Sequence, residues 1–140
     1  MLTVLVVDDS KIMRNVVATR IKECGFKVIG QADCGFDAIS KYKLLKPDIV
    51  TMDITMPEIN QINDGIEAVK QIREINSMAK IVMITSHGEN IKVIEAINAG
   101  AKGYILKPVS IKKIREVFGK IRELIKTEKD FINHERLNDT

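Results

Sequence analysis

Residues 3–10 read Thr3-Val4-Leu5-Val6-Val7-Asp8-Asp9-Ser10. A short run of apolar and β-branched residues ends on two adjacent carboxylates. A run of this kind suits a strand buried on both faces, as in a parallel sheet covered by helices. The pattern recurs downstream. Residues 48–52 run into Asp53, residues 80–84 into Thr85, and residues 103–106 into Lys107. In an open parallel α/β sheet, chemistry gathers outside the carboxyl ends of the strands. Asp8, Asp9, Asp53, Thr85 and Lys107 are therefore expected to meet at one point.

Helical stretches alternate with these strands. Residues 10–24 carry Met13, Val16, Val17, Ile21 and Cys24 at helical spacing, and Gly25 is a suitable stop. A further strand is expected at 27–32. Residues 36–45 place Ala38, Ile39, Tyr42 and Leu45 on one helical face, and Pro47 forbids continuation. A polar loop leads to Asp64-Gly65, after which Val69, Ile72 and Ile75 mark a third helix. Residues 91–99 form a fourth, closed by Gly100. Ser110 is placed to N-cap a long helix through Lys126, whose apolar residues form one stripe.

Five βα units imply an α/β, flavodoxin-like, doubly wound fold. Its five-stranded parallel sheet has the order 2-1-3-4-5, with helices on both faces. The first and third strands are then neighbours, and the crevice between them holds Asp8, Asp9 and Asp53. Thr85 and Lys107 lie beside it. Residues 1–126 read as one domain and residues 127–140 as a polar C-terminal tail or frayed helix end.

Composition narrows the field. With 140 residues, 45% of them hydrophobic, the chain can build one ordinary core. The net charge of +3 is mild, and basic residues are interspersed with acids, so direct nucleic-acid binding is not indicated. Cys24 and Cys34 fit neither a disulfide framework nor a metal spacing and read as small buried hydrophobes. Asp8 and Asp9 interrupt the first apolar run, so a signal peptide is not expected. No segment approaches the roughly 18 apolar residues of a membrane span. The expected compartment is a reducing cytoplasm.

Three carboxylates in one crevice repel each other. At about 5 Å and an effective dielectric near 20, each ionised pair costs about 3 kcal/mol. Either one carboxyl holds a proton or a cation enters. Oxygen ligands, few in number, suit Mg²⁺ or Mn²⁺ retaining several waters. The bland alternative is a cluster satisfied by lysines and helix N-termini, but Lys107 alone cannot neutralise three charges. Asp53 ends the central strand, where a side chain is held most rigidly. A carboxylate facing a metal and a lysine can attack a phosphoryl group and become an acyl phosphate. Thr85 would donate its hydroxyl to a phosphoryl oxygen. Each residue alone is a weak signal, and their common position at strand ends makes the set strong.

The motifs Val6-Val7-Asp8-Asp9-Ser10, Met52-Asp53-Ile54-Thr55-Met56-Pro57, Ile84-Thr85-Ser86 and Gly103-Tyr104-Ile105-Leu106-Lys107-Pro108 resemble the receiver domain of two-component response regulators. The resemblance spans residues 2–126 and is nearest to single-domain, chemotaxis-type regulators, with no output domain expected to follow. It implies that Asp53 is the phosphoacceptor and that Asp8, Asp9, Asp53 and the Thr55 backbone carbonyl hold Mg²⁺. It implies that Thr85 and Tyr104 form a switch pair, that Lys107 pairs with the phosphate, and that the Lys107–Pro108 bond is cis. The phosphoryl donor would be a sensor histidine kinase or phosphotransfer protein. A downstream output protein would read the fourth helix, fifth strand and fifth helix, including Lys92, Tyr104, Ile111 and Lys113. The expected assembly is a monomer or weak dimer away from any membrane.

One stretch departs from the family. Its usual turn is Met-Pro-x-Met-Asp-Gly, whereas Met56 to Gly65 is about four residues longer, an insertion that costs little in loop closure. Ile59-Asn60 and Ile62-Asn63 look like a local duplication. The loop borders the site, where it could alter kinase docking or shield an acyl phosphate. Thr55 and His87 stand where the family tunes dephosphorylation, though His87 reads better as a solvent-facing loop residue.

Other function classes fit less well. A haloacid-dehalogenase-type hydrolase uses Asp-x-Asp, but Thr55 occupies the second position and no cap domain is evident. A flavodoxin-like nucleotide binder needs a hydroxyl- or glycine-rich loop after the first strand, where Asp8-Asp9-Ser10 would repel phosphate. A receiver serving only as a scaffold has no use for a complete site. The expectation is a signalling switch rather than an enzyme acting on an external substrate.

Overall fold

The computed structural model describes residues 1–138 except Asn63, His87 and Glu89, and omits the side chains of Asn90 and Asn138. The expectations for His87 and for Asn63 of the suspected duplication lie outside the described residues. The strands are β1 (Thr3–Val7), β2 (Lys27–Ala32), β3 (Ile49–Met52), β4 (Ile81–Thr85) and β5 (Gly103–Leu106). They form one parallel sheet ordered β2-β1-β3-β4-β5, as the alternation of elements requires. Five helices connect or follow them: α1 (Lys11–Glu23), α2 (Gly35–Leu45), α3 (Gly65–Ile75), α4 (Asn90–Ala99) and α5 (Ile111–Asn138).

Helix boundaries follow local chemistry. The Ser10 hydroxyl accepts the Met13 N–H and starts α1, while Gly25 exits at φ +89°. Asp64 accepts the Glu67 N–H at 2.9 Å and starts α3. The buried Cys34 is more than a small hydrophobe, because its Sγ accepts the Asp37 N–H at the start of α2. Both cysteines are free thiols.

The sheet divides two apolar layers. Leu5, Val7, Val50, Met52 and Met83 join α2 and α3 on one side through Ala38, Ile39, Val69 and Ile72. Val4, Val6, Ile49, Val82 and Ile105 join α1 and α5 on the other through Val17, Ile21, Ile114, Phe118 and Ile121. Phe26 meets Phe118 edge-on, and the Arg122 guanidinium lies 4.6 Å from the Phe26 ring centroid. Each central strand is covered on both faces, so the polar groups at its carboxyl end have nowhere to relax except the crevice.

The long β3–α3 connection is not shapeless. Ile59 and Ile62 exchange backbone hydrogen bonds around Asn60 and Gln61, whose φ values are +52° and +69°. Consecutive positive φ angles are those of a two-residue hairpin turn. Ile62 is buried against α2, at a point where a Cβ on Gly35 would come within 2.5 Å of its Cγ2. The insertion is therefore a small hairpin anchored in the core.

Residues 127–138, expected as a frayed helix end or a polar tail, continue α5 as regular helix. Ile125 still packs against the core, whereas Ile132 one heptad on is 43% exposed. Lys80, only 3% exposed just before β4, pairs with Glu128 at 2.8 Å and also donates to the Met78 carbonyl. A buried ammonium needs a partner, and the helix extension supplies it. Glu128→Ala is expected to lower unfolding free energy by about 1–2 kcal/mol, less than a fully buried pair would lose because Glu128 is partly solvated. Urea denaturation compared with wild type measures the difference, and a shift within error would show that Lys80 finds water instead.

Candidate functional site

The carboxyl ends of β1, β3, β4 and β5 bring the strand-end residues together. Asp8 follows β1 and is fixed by its N–H donating to the Ala32 carbonyl at 3.1 Å. Asp53 follows β3 and is fixed by its N–H donating to the Val7 carbonyl at 3.2 Å. Both side chains are buried, whereas Asp9 is exposed at the rim. One carboxylate oxygen from each of Asp8, Asp9 and Asp53 falls within a mutual distance of 4.8 Å.

Lys107 crosses the crevice from the end of β5. Its Nζ donates to Asp8 Oδ2 at 2.7 Å and to Asp53 Oδ2 at 3.1 Å. The other oxygens are also held: Asp8 Oδ1 accepts the Ser10 N–H at 2.9 Å, and Asp53 Oδ1 accepts the Ile54 N–H at 2.8 Å. The Lys107–Pro108 peptide is cis, as the family resemblance implied.

Three charges against one ammonium leave an imbalance. The Asp9 carboxyl is pushed above its ordinary value by partial burial, then by the charges of Asp8 and Asp53. Burial alone would lower the Lys107 pKa, but its hydrogen bond to Asp8 and the charge of Asp53 outweigh this and raise it. All the clustered donors are hard carboxylate oxygens with excess negative charge. That set fits a divalent cation that prefers oxygen.

The loop after β3 approaches the site closely. The Gly65 N–H donates to the Ile54 carbonyl at 2.8 Å. A Cβ on Gly65 would stand 1.8 Å from the Asp53 carbonyl oxygen, so only glycine fits there. Thr55 lies in this loop with its side chain exposed. Thr85 is fully buried at the end of β4. The register pairs Thr85 with Leu106 and Met83 with Tyr104, so Thr85 and the half-buried Tyr104 share one face of the sheet, one strand step apart. Lys92 is paired with Glu95 at 3.6 Å, and Lys113 is exposed at the start of α5.

Two supports escaped the sequence reading. Ser10 both caps α1 and fixes Asp8 through its backbone N–H. Arg14, one turn into α1, donates from Nη1 to the Asp8 carbonyl at 2.8 Å. An acid-acid-serine triplet before a helix could have flagged Ser10, but no local pattern marks Arg14.

This fold and site define the receiver class of signalling protein. Residues 4–118 match the response regulator receiver domain family. The chain is 48% identical over 118 residues to the chemotaxis protein CheY of Thermotoga maritima, covering 84% of this chain and 95% of that protein. It is 43% identical to CheY of Bacillus subtilis, over 84% of this chain and 94% of the relative. Among solved structures it is similar to a chain of the CheX-CheY-BeF3-Mg²⁺ complex from Borrelia burgdorferi, with TM-score 0.79, 34% identity and coverage of 86% and 88% of the two chains. It is also similar to the response regulator domain of Thermotoga maritima CheB, with TM-score 0.73, 38% identity and coverage of 88% and 95%. The chain belongs to the response regulator receiver family and is a CheY-like signalling receiver rather than an enzyme of the usual kind. Among the described residues, no helix is long and apolar enough to cross a membrane.

The raised Asp9 pKa carries a stability consequence. The folded state holds the Asp9 proton more tightly than the unfolded state does. In metal-free protein, folding therefore loses stability as pH rises from 3.8 through the folded value, and the deficit persists at neutral pH. Asp9→Asn should melt higher than wild type at pH 7 in EDTA, with the gap closing as pH falls towards 3.8. Thermal melts of both proteins across that range provide the check, and a gap that does not depend on pH would contradict the repulsion.

Proposed function

We propose that the chain takes a phosphoryl group onto Asp53 from the phosphohistidine of a sensor kinase or phosphotransfer protein and, so modified, controls an output protein. The observation that carries this reading is the Lys107 ammonium shared by Asp8 and Asp53, with Asp9 completing the acidic cluster. Asp8, Asp9, Asp53 and the Thr55 backbone carbonyl would hold Mg²⁺, with Mn²⁺ a substitute of similar chemistry. The metal would supply positive charge that makes approach of an anionic phosphoryl group tolerable.

The chain's own residues account for the rest. Asp53 Oδ2 attacks phosphorus, an O–P bond forms, the N–P bond of the donor breaks, and the imidazole leaves with the bonding pair. Lys107 holds the attacking carboxylate in place and then offsets the charge of the aspartyl phosphate. The burial of Asp53 leaves little room for water around the new bond. Thr85 donates its hydroxyl to a phosphoryl oxygen, and Tyr104, on the same face of the sheet, turns inward behind it. The surface of α4, β5 and α5 that carries Lys92, Tyr104, Ile111 and Lys113 then favours a different partner.

The resemblance to CheY proteins supports an output in chemotaxis-type control, read by protein contact rather than DNA binding. The only turnover assigned is loss of the chain's own aspartyl phosphate. The free cysteines support action in the cytoplasm, and the chain would act there as a monomer or weak dimer.

Incubation with acetyl phosphate and Mg²⁺, followed by intact mass, should give one added phosphoryl group on wild type and none on Asp53→Ala. Labelling that persists in Asp53→Ala would move the acceptor elsewhere. EDTA should abolish labelling, and steady release of product from p-nitrophenyl phosphate would favour a hydrolase instead. Lys107→Ala should still accept label while losing the phosphorylation-dependent change in amide NMR shifts at Tyr104. An undiminished change there would remove Lys107 from the switch.

A further inference from the structure

The edge of the sheet opposite Asp53 contains a second concave site. The C-terminal ends of α2 and α3 and the extension of α5 enclose a cavity of about 560 Å³. That volume lies within the range of small-molecule sites.

Its lining joins exposed apolar side chains with lysines. Ile75, Met78 and Ile132 each leave 43–45% of their surface exposed and converge on the cavity. Lys43, Lys46 and Lys129 also line it, and none of them forms an ion pair among the described residues. The acids in the wall are already engaged. Asp48 accepts from the Thr3 N–H at 2.8 Å and the Thr3 hydroxyl at 3.0 Å, and Glu128 is bound to buried Lys80. The result is a partly apolar wall carrying three lysines without an ion pair among the described residues, beside two acids that already have partners.

We propose that this cavity binds a free amphipathic carboxylate, with its hydrocarbon chain over Ile75, Met78 and Ile132 and its carboxylate among Lys43, Lys46 and Lys129. An inorganic anion would leave the apolar floor wet. A neutral hydrocarbon would leave the three lysines without an anionic partner. Only a ligand with both parts satisfies both halves of the site. Because the cavity is built partly from residues beyond Lys126, it depends on the helix extension and is separate from the phosphoryl chemistry at the other end of the strands.

The test uses the full chain labelled with ¹⁵N and titrated with decanoate below its micelle concentration. Saturable one-to-one shifts are expected at the amides of Lys46, Ile75, Ala79 and Lys129. Lys129→Glu and Ile132→Asp, both at exposed positions of α5, should each weaken binding at least about tenfold, and decanol should bind at least about tenfold more weakly than decanoate. Asp53 labelling by acetyl phosphate checks that both variants remain folded. The proposal is overturned by an absence of saturation, by shifts mapping to the exposed isoleucines of α4 instead, or by decanol binding as tightly as decanoate. An acidic amphipathic peptide that displaces decanoate with higher affinity would likewise replace the assigned occupant.

Discussion

The arrangement depends on one cation spanning two strands. Parallel order places the ends of β1 and β3 side by side, which forces Asp8 and Asp53 into a single crevice. Their charges could not coexist in a buried space without compensation. The Lys107 ammonium, 2.7 Å from one and 3.1 Å from the other, provides part of it and ties β5 to the switch point. The compensation is incomplete, because Asp9 adds a third charge that burial and its neighbours oppose. An incompletely neutralised pocket is useful to a switch. It sets excess negative charge, suited to a cation, beside a rigidly held carboxylate.

Rigidity comes from below. Met52, Val7 and Met83 are buried on the strands that present the site, so backbone position is set by packing on both faces of the sheet. Side-chain direction is then set by single hydrogen bonds: Ser10 and Ile54 N–H groups to the two carboxylates, and Gly65 to the loop between them. Gly65 matters more than its size suggests. The chain must turn within contact of the Asp53 carbonyl, and any Cβ would push the backbone of Asp53 away.

Much of this was legible before any coordinates. Short apolar runs ending on Asp, Asp, Thr and Lys specify strand direction and end together, because only the carboxyl edge of a parallel sheet offers four strand ends to one crevice. What was not legible is informative. The hairpin at Ile59–Ile62 needs positive φ at Gln61, a residue type that does not advertise such a turn, and burial of Ile62 depends on Gly35 from a distant helix. The continuation of α5 through Asn138 lacks a full apolar stripe. Its pairing with Lys80 is a contact across 48 positions of sequence that no periodicity encodes. Arg14 is similar, since its role lies in the backbone carbonyl it reaches.

Lys80 and Lys107 together show why position, rather than residue type, separates structure from chemistry here. Both are lysines beside a strand, both are largely enclosed, and both are paired with acids. Lys80 precedes β4, at the amino edge, where Glu128 is its one ion-pair partner among the described residues and sits on a helix that leaves it partly in water, while nearby Asp48 is held by Thr3. Its charge is satisfied by one neighbour and held there. Lys107 follows β5, at the carboxyl edge, where two further strands deliver acids that one ammonium cannot balance. The same ion pair that ends an account at one edge leaves residual field at the other, and that residual field is what a metal and a phosphoryl group can use.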